Sequence, residues 1–129
     1  NDNSINFSIE NVKPSGNKNI NDNILSNLAT YINNPEKEKK YYLKINSVEN
    51  RNVTSKDTKG DPKTFRIEIK TIVEVTNINN EIYKKEFVEK KNYNTMSSKF
   101  DLGLYENNIR NDLVSIIARN ISIYLSSLN

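Results

Sequence analysis

Apolar and polar residues alternate from the start of the chain. Ile5, Phe7 and Ile9 stand against Asn6, Ser8 and Glu10, the period of a short strand with one buried face. Lys13-Pro14-Ser15-Gly16-Asn17 reads as a turn. Ile24, Leu25, Leu28, Tyr31 and Ile32 then follow helical spacing, with Asn21 or Asp22 as the N-cap and Pro35 as the stop. After a charged link from Glu36 to Lys40, Tyr41, Leu43 and Ile45 restart the alternation, and this strand extends to Val48 or Val53. Ser55 to Lys63 contains no apolar residue but carries Gly60 and Pro62, which predicts an exposed hairpin loop. Phe65, Ile67, Ile69, Val73 and Val75 mark a long strand whose solvent face is Arg66, Glu68 and Lys70. A tight turn at Asn77 to Asn80 leads into a fourth strand, Ile82 to Tyr93, with Tyr83, Phe87 and Tyr93 on one face.

The last thirty-odd residues form the strongest pattern. Wound as a helix, Tyr105, Ile109, Leu113, Ile116, Ile117, Tyr124 and Leu128 fall on one side, and Asn108, Asn111, Asp112, Ser115, Arg119, Ser122 and Ser126 on the other. Such a helix is stable only where a sheet or partner covers its apolar stripe. The order is therefore β-α-β-β-β-α. It predicts an α+β fold with two helices packed on one face of a mostly antiparallel sheet of about four strands. Parity within each strand predicts that Ile109, Leu113, Ile117 and Tyr124 pack onto Phe7, Leu43, Ile67, Ile69 and Phe87.

At 129 residues the length suits one domain over 1–129. The hydrophobic fraction is 35% and mean hydropathy −0.76, low for a globular protein, but the periodicity argues against disorder. No Cys and no His occurs, which removes thiolate and imidazole chemistry, the usual zinc sites and any disulfide framework. No G-x-S-x-G, P-loop or dinucleotide fingerprint appears, Ser97-Ser98-Lys99 has the wrong spacing for S-x-x-K, and the carboxylates do not converge, so no enzyme, metal or cofactor is expected. The chain begins Asn1-Asp2-Asn3-Ser4 without Met, which suits a processed protein whose targeting segment has been removed.

A net charge of +3 is a mild basic excess. Lys56, Lys59 and Lys63 share the predicted hairpin loop, Lys84, Lys85, Lys90 and Lys91 decorate the fourth strand, and Lys99 precedes the last helix. In a meander, the loop between the second and third strands and the linker after the fourth lie at one end of the sheet. Lys59 and Lys99, with Lys56 and Lys63 nearby, would then form an anion-binding rim.

Three stretches carry a family resemblance. They are the strand Phe65 to Val75, the aromatic fourth strand ending Lys91-Asn92-Tyr93-Asn94, and the closing helix Tyr105-Glu106-x-x-Ile109-x-x-x-Leu113-x-x-x-Ile117-x-x-x-Ile121-x-x-Tyr124-Leu125. Together with the element order, these resemble the lipopolysaccharide-assembly lipoproteins, the LptE family, over nearly the whole chain. The resemblance implies a lipid-anchored protein at the periplasmic face of the outer membrane of a Gram-negative bacterium, its lipid-bearing Cys lying outside this sequence. It further implies a β-barrel translocon partner that the domain plugs, no nucleic acid, and contact with lipopolysaccharide. Lys59 and Lys99, with Lys56 nearby, are the positions that match the family's basic lipid-contacting residues. Two other readings remain: a basic α+β nucleic-acid-binding module that stacks bases on Tyr83, Phe87 and Tyr93, and a periplasmic adaptor without a barrel partner.

Overall fold

The computed structural model describes residues 6–128, so Ile5 and the Asn1 to Ser4 segment lie outside the described residues. The elements are β1 (Phe7–Gly16), α1 (Lys18–Asn27), a 3₁₀ turn (Ala29–Tyr31), β2 (Lys39–Lys56), β3 (Pro62–Thr76), β4 (Ile82–Asn94) and α2 (Lys99–Ser127). The four strands lie in the order β1-β2-β3-β4, with β1 parallel to β2 and the other two pairings antiparallel. The fold is thus α+β, with both helices on one face of a mixed sheet.

Strict alternation dictates that sidedness. On β3 Phe65, Ile67, Ile69, Thr71, Val73 and Val75 are buried, while the residues between them are half-buried. On β2 the same face carries Tyr41, Leu43, Ile45 and Ser47, and a hydrogen bond of 2.8 Å between the Ser47 and Thr71 hydroxyls satisfies the polar pair inside the core. Beyond Ser47 this row of β2 continues as Glu49 and Arg51.

Several sequence readings need correction. Lys13 to Gly16 is the end of β1 and not a turn. Pro14 is tolerated because β1 is an edge strand with a ladder on one side only. A bulge between Ile9 and Asn11 shifts its register. The N-cap of α1 is Asn17, whose Oδ1 accepts from the Ile20 N–H at 3.0 Å, and not Asn21 or Asp22. Asn21 is instead buried within the helix and donates to the Ser15 carbonyl at 2.7 Å. The helix ends at Asn27, ahead of Leu28, Tyr31 and Ile32, so Pro35 does not terminate it. β2 already starts at Lys39 inside the expected charged link, and the hairpin loop shrinks to Asp57 through Asp61.

The stripe of α2 is also displaced from the expected one. Ile109, Leu113, Val114, Ile117, Ala118, Ile121 and Leu125 are buried, whereas Tyr105, Ile116, Tyr124 and Leu128 are half-buried flanks. Ser122 falls on the buried side, its hydroxyl donating to the Arg119 carbonyl at 2.7 Å. The expected partners Phe7, Leu43, Ile67, Ile69 and Phe87 all belong to the same buried cluster. At the far end of α2 the first and last described segments meet. The Asn6 amide donates to the Ser126 carbonyl at 3.2 Å, and Lys39 Nζ to the Leu128 carbonyl at 2.8 Å.

Truncation of a buried leucine leaves a cavity that neighbours fill only in part. Leu113→Ala should therefore lower unfolding stability by about 2–5 kcal/mol in chemical denaturation. A change below that range would mean the helix sits differently on the sheet.

Candidate anion-contact site

The hairpin pole is built by local capping. Asp57 Oδ1 accepts from the backbone N–H groups of Lys59 and Asp61, at 2.9 and 3.0 Å, and Gly60 takes a φ of +90° to close the loop. The Thr95 N–H donates to the Lys63 carbonyl at 2.9 Å, which ties the linker after β4 to the base of the hairpin. Ser98 then caps α2, its hydroxyl accepting from the Asp101 N–H at 3.2 Å. The expectation that the hairpin and the start of the last helix share one end of the sheet therefore holds. Lys56, Lys59, Lys63 and Lys99 are all exposed at that pole, and none forms an ion pair among the described residues. Lys99 lines a cavity of about 430 Å³ with Arg51, Phe65, Met96, Leu102 and Glu106, whereas Lys56, Lys59 and Lys63 do not line it.

Beneath Lys99 lies a charge cluster centred on the buried Glu106, which sequence reasoning did not find. Arg51 Nε donates to Glu106 Oε2 at 2.7 Å, the Tyr93 hydroxyl donates to the same oxygen at 2.5 Å, and the guanidinium lies 4.2 Å from the Phe65 ring centroid. Burial alone would raise the Glu106 pKa. The hydrogen bonds from Tyr93 and Arg51 outweigh it and hold the carboxyl below its ordinary value. Burial, and then the bond to Glu106, push the Tyr93 phenol up to about 12. The signal was present as two opposite charges on core-facing positions. Arg51 continues the buried parity of β2, and Glu106 sits three residues before Ile109 on the α2 stripe.

The aromatic residues proposed for base stacking do not face solvent. Phe87 packs edge-on to Tyr124 at 5.9 Å, Tyr93 packs against Phe65 and Tyr105, and Tyr83 is half-buried, all on the helix-covered side. The open face carries Tyr42, Val48 and Val88 among Lys and Glu side chains, without a stacking ladder. Among the described residues, no group of three or more carboxylates gathers as a metal site, and no helix is long and apolar enough to cross a membrane.

No family model and no curated protein matches this sequence. Solved structures do. Rare lipoprotein B from Shewanella oneidensis superposes with a TM-score of 0.69 at 11% identity, covering 91% of this chain and 94% of that one. A minor lipoprotein from Acinetobacter baumannii gives 0.68 at 8% identity, with 93% and 91% covered. Lipoprotein B from Nitrosomonas europaea gives 0.65 at 13% identity, with 95% and 89% covered. The chain has the fold of these lipoproteins, end to end, as the sequence resemblance implied.

The Arg51–Glu106–Tyr93 cluster should set the pH limits of stability. With the folded carboxyl depressed, the Glu106 contribution is complete above its ordinary pKa of 4.5 and is lost as pH falls through the lower folded value. With the Tyr93 phenol raised, its contribution is complete below 10.0 and is lost as pH rises towards about 12. Thermal unfolding across pH should show a flattened acid limb in Glu106→Gln and a flattened alkaline limb in Tyr93→Phe. Each variant should lose about 1–3 kcal/mol near neutrality. Unaltered limbs would place the pH dependence in other groups.

Proposed function

We propose that this chain is a non-enzymatic component of lipopolysaccharide transport and assembly at the outer membrane. It works as a lipid-anchored lipoprotein at the periplasmic face, seated in a β-barrel translocon subunit. The observation that carries this reading is the fold, shared over nine-tenths of its length with lipoproteins from Shewanella oneidensis, Acinetobacter baumannii and Nitrosomonas europaea. A second feature agrees with it: exposed lysines without an ion-pair partner among the described residues are concentrated at the pole where the hairpin and the start of α2 meet.

Lys59 and Lys99, supported by Lys56 and Lys63, contact the phosphorylated head of the lipid. A lysine ammonium is a compact cation with three donors and suits phosphate oxygens. A single exposed ion pair contributes only about 0–1 kcal/mol, so affinity depends on several lysines acting together on a multiply charged head group. No catalytic step is involved, and the barrel supplies the passage.

The Lys59→Glu, Lys99→Glu double variant should bind purified lipopolysaccharide more weakly than wild type at low salt, with the difference shrinking at high salt. Its fold and its association with the barrel should not change. Equal affinity at both salt concentrations would remove these lysines from the contact. Co-purification from native membranes tests the partner separately, and recovery of the chain without a large β-barrel protein would favour the free adaptor reading.

A further inference from the structure

The β1–α1 layer covers only part of the sheet's length. β1 pairs with β2 as far as Gly16 opposite Ser47, and there the chain departs: the Asn17 N–H donates to the Ser47 carbonyl at 2.8 Å and α1 begins. Gly16 has a φ of +81°, and a Cβ on it would stand 2.3 Å from the Ser47 carbonyl oxygen, so the departure is built into the backbone. β2 nevertheless runs on from Val48 to Lys56, with only its β3 side paired. Its other side offers about 30 Å of strand edge on which every second residue points an N–H and a C=O outward. Among the described residues no strand, cap or side chain occupies them.

A trough runs beside this edge. Its floor is the helix-facing row of β2, its wall is α2, and the N-terminus of α1 closes one end. A cavity of about 550 Å³ lies along it over Glu49, between the start of α1 and α2. A second, of about 430 Å³, lies at its far end under the start of α2, where Arg51 is the one β2 residue beside Pro62 and Phe65 of β3. Glu49 and Arg51 are successive core-side positions, spaced as alternate side chains of an added strand would be.

The chemistry of the trough is biased towards donors. Both carboxylates are already neutralised: Arg110 Nε bonds both Glu49 oxygens, at 2.9 and 2.8 Å, and Arg51 holds Glu106. Three carboxamide oxygens are also engaged, each at 3.0 Å. Asn17 Oδ1 accepts from the Ile20 N–H, Asn107 Oδ1 from Arg110 Nη1, and Asn111 Oδ1 from Asn23 Nδ2. What remains available on these three is their amide N–H groups. Asn19 keeps both its side-chain oxygen and its amide, and the ammonium of Lys99 has no carboxylate partner among the described residues. Acidic side chains complement that arrangement.

From this vacant lane we infer that the chain binds an extended, acid-rich segment of a partner polypeptide as an additional strand on β2 between Val48 and Lys56, continuing the line of β1. Alternate side chains of the added strand enter the trough beside α2, and its backbone completes the sheet edge. The outer edge of β4 is a poorer template. Lys84, Lys85, Lys90 and Lys91 guard it with charge, and none of them lines either cavity. This inference shares Lys99 with the lipid contact proposed above but rests on the open strand edge, which that contact does not use.

The test is selection of linear peptides of about ten residues from a displayed library against the intact chain, followed by amide hydrogen exchange on the complexes. Selected peptides should be rich in Asp and Glu and should slow exchange across Val48 to Lys56. N-methylation of alternate peptide amides should abolish binding, because it removes the ladder while keeping every charge. Lys99→Glu should weaken binding about tenfold. Failure to select any binder would overturn the proposal, as would protection confined to Ile82 to Asn94 or binding indifferent to N-methylation. Protection of the lane by self-association or by added lipopolysaccharide alone would assign the edge to another occupant and overturn it equally.

Discussion

The structure depends on one requirement, that the apolar stripe of α2 be covered along its length. An isolated helix of that composition is not stable in water, because its few good helix formers do not offset the entropy of ordering the chain. Ile109, Leu113, Ile117, Ile121 and Leu125 provide the seam, and only a sheet with a continuous apolar face is long enough to receive it. The lengths of β2, β3 and β4 follow from that requirement. So does the placement of α1, which covers the part of β1 and β2 that α2 leaves exposed.

Where the stripe reaches its N-terminal end the apolar surface gives out, and a charge cluster takes over. Glu106 anchors the first turns of α2 to Arg51 on β2 and Tyr93 on β4 at once. A carboxylate accepting two charge-assisted or strongly polarised bonds in a desolvated position fixes orientation better than another leucine would. It also holds Arg51 through its Nε, whereas the exposed lysines at this pole have no ion-pair partner among the described residues.

Much of this was legible in the sequence because the alternation on β3 and the long helical stripe admit one period each. The errors have separate physical causes. Pro14 and Gly16 looked like a turn because edge-strand status, which excuses a proline, is a property of the sheet and not of the residue. Four asparagines at 17, 19, 21 and 23 are equivalent as caps until the departure of the chain at Gly16 picks the first. Ser122 was placed among the polar residues because the true centre of the stripe depends on Val114, Ala118 and Ile121 as well as on the larger side chains. The lysines of the hairpin were readable as a group, since turn chemistry is local. Arg51 and Glu106 were not, because their partnership joins residues fifty-five positions apart.

The meeting of the first and last described segments has a mechanical consequence. Asn6 and Ser126 touch, and Lys39 reaches Leu128, at the pole opposite the hairpin. A force transmitted through Asn6 or through Leu128 therefore bears on the same pole of the described domain. A pull applied there runs along β2 as along a rod roughly 60 Å long and presents the Asp57–Asp61 tip at its far end. β2 in this sense fixes the distance and direction between the two poles.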